Sequence, residues 1–477
     1  MTQFTDSDIQ QITEHGLNID NVTQQMTDFQ HGFPYIDIKS AAVIDDGVIE
    51  IQTDEYAEFF DANADNYKIV KFVPASGAAT RMFKDLFEYL TSGTHNKVSQ
   101  MVIDKLTEFA FYKDLKKHLP ENPTDHDIIE CIVTKRGLNY GNLPKGLLKF
   151  HHDNNNGITA VAEHLAEGAQ YAKSKNTVNI HFTVSPEHIS GFQELLAKII
   201  PEHEQQFNIK YNIELSTQKS QTDTIAVNPD NAPFRNSDGS LLFRPSGHGA
   251  LIENLNDLDA DIIFIKNIDN VCPESNRADT IRYKKALAGV AIKLQQKIFD
   301  YIRAIDNGNA DINEISTFIS DNLGIKNVTP DKIRDILNRP LRVCGMVRNT
   351  GAPGGGPFWT QNSDGTIGLQ IVEPGQISDE NRHILHQGQY FNPVDIVCMP
   401  YKHNGTKFNL TEFIDLATGF ISEKSKNGQP LRAMERPGLW NGAMSKWNTV
   451  FVSVPATTFT PAKVITDLLS PDHNTTA

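Results

Sequence analysis

Short runs rich in valine and isoleucine alternate with stretches of helical spacing along most of this chain, and that alternation restricts its fold more than any other feature. "YKIVKFVPA" (67–75), "TVNIHFTVS" (177–185), "NIKYNIEL" (208–215) and "ADIIFIKNIDNV" (260–271) read as strands. "TRMFKDLFEYL", "ITAVAEHLAEGAQYAKS", "EHISGFQELLAKII" and "GALIENLNDL" read as helices, with apolar residues at i, i+3 and i+4. Such alternation implies an α/β fold, with a mostly parallel, Rossmann-like sheet flanked by helices and ligands at the C-terminal edge of the strands. One hairpin, "TIAVNPDNAPFRNSDGSLLFRP" (224–245), interrupts the pattern.

At 477 residues the chain exceeds one compact core. Residues 1–65 read as an N-terminal helical extension around a short hairpin, "AAVIDDGVIEI". The α/β core takes 66–92 and 141–400, and 93–140 reads as a helical insertion because amphipathic patterns follow one another with no strand between. Residues 401–477 form a C-terminal segment that closes with strand, loop and helix. The 59 acidic and 44 basic residues give a formal charge of −15, which repels phosphate backbones, so nucleic acid is not an expected partner. A small phosphorylated ligand in a local basic pocket is compatible with that charge. The N-terminus lacks the basic start and apolar centre of a signal peptide, and no stretch approaches the about 18 apolar residues of a membrane span. The four cysteines are far apart with no C-x-x-C pair, so a reducing, cytoplasmic setting is expected and a zinc site is not.

The segment "KFVPASGAATRM" joins a strand to a loop of small residues. Ala75, Ser76, Gly77 and Ala78 keep bulk away from the backbone, so its N–H groups can approach a phosphate at the start of the next helix, beside Thr80. Arg81 adds a forked, permanently charged donor. A tight turn whose arginine pairs with a surface carboxylate is the other reading of the same residues. Neither a Walker loop nor a G-x-G-x-x-G turn is present.

"VPASGAATRM" resembles the L-x-G-G-x-G-T-R-L signature of sugar-nucleotide pyrophosphorylases, with Ser76 and Ala79 in place of two glycines. Further stretches follow that family's order. "LPKGLLKFH" resembles its Pro-Lys pair, and the resemblance makes Lys145 a phosphate contact. "FRPSGHGALIENLND" resembles the P-x-G-H-G stretch of uridylyltransferases, which implies that Gly247 and Gly249 lie against the base and that His248 donates to a phosphate or ribose oxygen. Asp269, ending "DIIFIKNIDNV", falls where the family holds magnesium, which needs few protein ligands when phosphates supply the rest. Gly345, Glu373 and Asn392 match positions that hydrogen-bond sugar hydroxyls. "GAPGGGPFW" (351–359) reads as a lid. "FTPAKVITDLL" resembles the P-V-K-T-x-x-D-L-L of uridine diphosphate glucose pyrophosphorylases, which brings Lys463 back to the phosphates. The resemblance implies a nucleotidyltransferase that joins UTP to a sugar 1-phosphate with Mg²⁺, releasing pyrophosphate. The alternatives are a non-catalytic sugar-nucleotide-binding relative, and a glycosyltransferase of the same fold for which "DLDAD" (257–261) is the nearest D-x-D.

Overall fold

Strands buried on both faces account for the apolar runs of the sequence. The computed structural model describes residues 4–77, 79–153, 156–351 and 354–474. The chain divides into two units, each assembled from three segments. Met1–Ile51, Gln218–Asp261 and Val290–Ser453 form the first; Gln52–Thr217, Ile262–Gly289 and Val454–Ala477 form the second.

In the second unit four parallel strands lie in the order Ile262–Ile265, Ile69–Pro74, Thr177–Thr183, Lys210–Ser216. Ile69, Val70, Phe72 and Val73 are all buried, as are Ile262 to Ile265, so these strands read as continuous apolar runs rather than alternating ones. Residues 93–140 supply the helices Lys97–Asp104, Tyr112–Leu115 and Asp125–Val133. Their Val102, Leu115, Ile129 and Ile132 share one apolar cluster with Val73, Ile180 and Phe182 of the sheet.

Lys71 lies inside the strand Ile69–Pro74 and Lys266 directly follows Ile262–Ile265, and both are buried. Lys71 Nζ lies 3.2 Å from Glu167 Oε2 and donates to the His164 carbonyl at 2.9 Å. Lys266 Nζ lies 2.8 Å from Glu167 Oε1, and the Lys284 ammonium donates to the Ile265 carbonyl at 3.1 Å. Two lysines thus share one carboxylate on the helix Ala160–Tyr171, with a third buried lysine on the neighbouring backbone. Burial pushes the Lys71 ammonium down to about 7 against the pull of Glu167. Burial alone would raise the Glu167 carboxyl, but the charges of Lys266 and Lys71 outweigh it and hold it well below the usual carboxylate range.

In the first unit the strands Val43–Ile44, Gly47–Ile49, Asn448–Val454, Leu341–Arg348 and Tyr390–Met399 follow one another, the last two antiparallel. A separate antiparallel sheet orders Ile38–Ala41, Gly356–Gln361, Ile367–Val372 and Ile325–Lys326. The helices Asp6–Glu14 and Ile19–His31 bury Ile12, Val22, Met26 and Phe29 against Ile225, Val227 and Leu241 of the expected hairpin. Asp8 accepts from both terminal nitrogens of Arg235, at 2.8 and 2.9 Å.

Local expectations needed correction in four places. The turn in "AAVIDDGVIEI" is present, with Asp45 and Gly47 at φ +62° and +97°, but the short strands beside it pair in parallel. Residues Ala79–Arg81 form a 3-10 turn, and the helix expected from Thr80 starts at Lys84. The C-terminal helix is reduced to the 3-10 turn Ile465–Leu469, because the Lys463 and Val464 N–H groups turn onto Asp467 Oδ2 and Ile465 N–H bonds to the Met82 carbonyl. The second half of the expected lid is the buried strand Gly356–Gln361, while Ala352 and Pro353 lie outside the described residues. Among the described residues no helix is long and apolar enough to cross a membrane, and all four cysteines are buried.

The lysine cluster gives a pH signature with a definite sign. Between pH 7 and the ordinary lysine value of 10.5, Lys71 binds fewer protons in the native chain than in the unfolded one, so its contribution favours folding as pH rises through that window. Melting of the wild type and Lys71→Met should therefore show the wild type gaining on the variant between pH 7 and pH 10. A difference in Tm that stays constant over that range would contradict the buried lysine.

Candidate functional site

In the second unit, the loops leaving the C-terminal ends of the parallel strands are tied to one another by hydrogen bonds. Ala75 N–H bonds to the Thr183 carbonyl at 2.8 Å, and the Ser185 hydroxyl to the Ser76 carbonyl at 2.8 Å. Ala79 N–H bonds to the Leu143 carbonyl at 3.1 Å, which lays the opening loop against the Pro144–Lys145 turn. The Thr80 hydroxyl reaches the Gly141 carbonyl at 3.4 Å. Gly77 has an ordinary φ and open space where a Cβ would stand, and Ala78 lies outside the described residues.

Lys145 closes this edge. Its ammonium donates to Asp269 Oδ2 at 2.6 Å and to the Ala462 carbonyl at 2.7 Å, while Ala462 N–H bonds to the Asp269 carbonyl at 3.0 Å. Lys463 follows Ala462 and is exposed, its ammonium 5.6 Å from the Phe459 ring centroid. Arg81 is exposed with no ion-pair partner among the described residues, which removes the surface-carboxylate reading of its turn; its neighbour Met82 accepts from Ile465. The fold therefore gathers Arg81, Lys145, Asp269 and Lys463 on one hydrogen-bonded edge from positions spread along the chain. His164 Nε2 donates to the Ile268 carbonyl at 3.2 Å and fixes the backbone just before Asp269.

Among the described residues no group of three or more His, Cys, Asp or Glu is gathered for a metal. Asp269 is a partly exposed carboxylate, enough to attach a magnesium ion otherwise surrounded by phosphate oxygens. Its Oδ2 already holds the Lys145 ammonium, so a metal there would have to compete with the lysine for one group.

The first unit presents different chemistry. Gly345 faces Asp395 across the antiparallel pair, and the register shifts between Gly345 and Val347. In the bulge opposite, Val394 sits at φ +62°, where a β-branched residue is a strained outlier. Its N–H donates to Asn392 Oδ1 at 3.0 Å, which turns the Asn392 amide NH₂ away; that nitrogen is buried with no partner among the described residues. Asn392 N–H bonds to the Gly355 carbonyl at 2.8 Å, and a Cβ at Gly355 would stand 3.4 Å from Glu373 Cγ. Asn392 and Glu373 are thus neighbours through Gly355.

Gly247 and Gly249 meet the chain itself. Gly247 has φ +78°, and a Cβ there would lie 2.9 Å from Glu435 Oε2; one at Gly249 would lie 2.1 Å from the Pro437 carbonyl oxygen. Their lack of bulk admits the segment Glu435–Gly442 rather than leaving a surface open for a base. His248, between them, stacks on Trp440 with centroids 4.2 Å apart, and its Nδ1 accepts from Leu439 N–H at 3.0 Å. Burial lowers its pKa although Glu373 and Glu435 pull the other way, so the ring is neutral with its proton on Nε2, a donor. Of the near D-x-D, Asp257 pairs with Lys219 at 2.7 Å and Asp259 accepts from the Tyr401 hydroxyl at 2.6 Å.

A family model described as a domain of unknown function, DUF4301, matches residues 5–474. The chain belongs to that family. No curated protein matches it. Among solved structures it is similar to the UDP-glucose pyrophosphorylase of Leishmania major, with 13% identity over 98% of this chain and 79% of that one at a TM-score of 0.47. It is also similar to the uridine diphosphate N-acetylglucosamine pyrophosphorylase of Trypanosoma brucei, with 10% identity over 98% and 79% at 0.48.

Sequence reasoning missed two parts of this DUF4301 chain. The buried Lys71, Lys266 and Glu167 were signalled by lysines inside apolar runs. The segment "ERPGLWNG" (435–442), which holds His248 and Glu373, carries a Trp-Asn pair whose partners lie far away in sequence.

Adding a methyl group distinguishes the glycines. Gly249→Ala should lower stability by roughly 1–3 kcal/mol, because the backbone of Pro437 cannot yield as a side chain can. Gly77→Ala should leave the Tm unchanged. The reverse order of the two melting temperatures would contradict the geometry.

Proposed function

We propose that the chain is a nucleotidyltransferase that joins UTP to a sugar 1-phosphate and releases pyrophosphate. The observation that supports this reading is the single edge carrying Arg81, Lys145, Lys463 and Asp269, cations and a carboxylate where loops leave a parallel sheet. The resemblance of the short motifs supplies the reaction class, and the edge supplies chemistry suited to it.

In the reaction, an oxygen of the sugar 1-phosphate forms a bond to the α-phosphorus of UTP as the bond to the bridging oxygen breaks, and that oxygen leaves on pyrophosphate. The nucleophile is already an anion, so no general base is needed. What the chain must provide is alignment and neutralisation of clustered negative charge. Arg81 and Lys463, exposed and with no carboxylate partner among the described residues, bind phosphate oxygens. The opening loop offers them the backbone N–H groups of Ser76 and Gly77, since those of Ala75 and Ala79 are already bonded to the Thr183 and Leu143 carbonyls. Lys145 exchanges Asp269 for a phosphate oxygen. Asp269 would hold a magnesium ion, which would supply positive charge against the phosphates. Within the first unit, the neutral His248 Nε2–H and the Asn392 NH₂ are donors suited to hydroxyls or ribose oxygens, and Glu373 is an acceptor suited to them.

A non-catalytic sugar-nucleotide binder is the second reading, favoured by Ser76 and Ala79 in place of the signature glycines. Turnover decides between them. Charge-assisted hydrogen bonds contribute about 1.5–3 kcal/mol, so Arg81→Ala should slow pyrophosphate release by roughly ten to a few hundred fold; a full rate would remove the loop from the reaction. Lack of turnover on a broad panel of sugar 1-phosphates, with UTP still bound, would establish the binder. The competition at Asp269 has a separate readout: Lys145→Met should bind Mn²⁺, followed by its electron paramagnetic resonance signal, more tightly than the wild type, whereas Asp269→Ala should bind it more weakly. Unchanged titrations in both variants would exclude Asp269 as a ligand.

A further inference from the structure

A buried amide stands against Glu373 in the first unit. Asn441 is 3% exposed, and its Nδ2 lies 2.7 Å from Glu373 Oε1. An ionised carboxylate only accepts, so the NH₂ end of the amide must face it, and the orientation of Asn441 is decided by chemistry. That leaves Asn441 Oδ1, which is buried with no hydrogen-bond partner among the described residues. A buried acceptor left this way is unfavourable unless the working protein brings it a donor.

The segment around Asn441 is held firmly enough to place such a group. The Trp440 carbonyl accepts from the fully buried Arg342 at 2.6 Å, and Gly438 has no room for a side chain because a Cβ would lie 2.6 Å from His248 Cε1 and 3.2 Å from both His248 Nε2 and Asn441 Nδ2. His248, Glu373 and Asn441 therefore share one small region, and Gly355 links it to Asn392, whose buried NH₂ also lacks a partner. One orphaned acceptor and one orphaned donor, both uncharged, suit a neutral polyol better than a phosphate or an apolar group.

We infer that Asn441 is a specificity-determining residue for the sugar: its amide NH₂ holds the Glu373 carboxylate in position, and its amide oxygen accepts a hydrogen bond from a sugar hydroxyl. This rests on the sugar-nucleotide reading of the site and does not require that the chain turn substrate over. Around the Glu373–Asn441 pair, His248 is kept neutral by burial while Glu373 and Glu435 both act on it, and the buried Arg342 guanidinium holds the Trp440 carbonyl next to Asn441. Asn441→Asp retains an acceptor but sets a second carboxylate against Glu373, and two carboxylates in contact share one proton. That proton restores the lost donor, so the variant should regain function as pH falls.

The test is calorimetric binding of UDP-glucose and UDP-N-acetylglucosamine, with UDP as the sugar-free control, at pH 5.5 and 8. The wild type, Asn441→Ala and Asn441→Asp are compared at both values. Expected is a wild type that prefers one UDP-sugar over UDP, and an Asn441→Ala variant that loses at least tenfold of that preference with UDP affinity unchanged. Asn441→Asp should match the alanine variant at pH 8 and recover most of the preference at pH 5.5. UDP affinity of Asn441→Asp that is equal at the two pH values excludes a folding defect as the cause of the recovery. A preference that survives in Asn441→Ala, or one in Asn441→Asp that changes with pH no more than the wild type's, would overturn the inference. So would failure of the wild type to bind any of the three ligands. Binding that behaves as expected without pyrophosphate release would refute the transferase reading alone.

Discussion

Glu167 is the constraint on which the second unit depends. A buried carboxylate cannot stand alone, and this one is reached by Lys71 from the strand Ile69–Pro74 and by Lys266 from the end of Ile262–Ile265. A buried ion pair adds little net stability, yet breaking one leaves an uncompensated charge, so such a pair fixes arrangement more than it raises stability. Here it ties the helix Ala160–Tyr171 to two neighbouring strands just below their C-terminal ends. The opening loop begins at Ala75, four residues beyond Lys71, and Asp269 lies three beyond Lys266. The positions of the loop and of the carboxylate are thus set by an interaction beneath them.

The two units use opposite strategies for their polar groups. The edge in the second unit leaves Arg81 and Lys463 in water, where a long cationic side chain stays adaptable. The region around Glu373 in the first unit buries neutral amides and a neutral imidazole, fixed by backbone donors and by the stacked Trp440. Even the positive charge there is used structurally: Arg342, with its pKa lowered by burial, donates to the Trp440 carbonyl and the Thr449 hydroxyl instead of facing a ligand. Strain is concentrated at the same place, with Val394 left-handed beside Asn392, which is where a fold places a side chain against its local preference.

Much of the fold was legible because burial on both faces writes itself into sequence as continuous Val and Ile. The meeting of Lys145 with Asp269 was foreshadowed by the order of motifs, and the structure supplies the contact that order alone could not. Where local reading failed, a distant partner had taken over. Thr80 does not start a helix because the loop is tied back to Leu143, and the final helix shortens because Met82 and Asp467 claim its N–H groups. The glycines at 247 and 249 were expected to lie against a base, and spacing could not say that what meets them is the chain's own Glu435–Pro437.

The sequence by itself determined the elements of the second unit's sheet, the small-residue loop after its first strand and the class of side chains available for phosphate, since these follow from local pattern and residue chemistry. Only the tertiary structure decided which charges are paired, which amides are orphaned and which imidazole nitrogen carries the proton. Those properties depend on partners tens to hundreds of residues away and on the exclusion of water around them, and neither leaves a periodic trace along the chain.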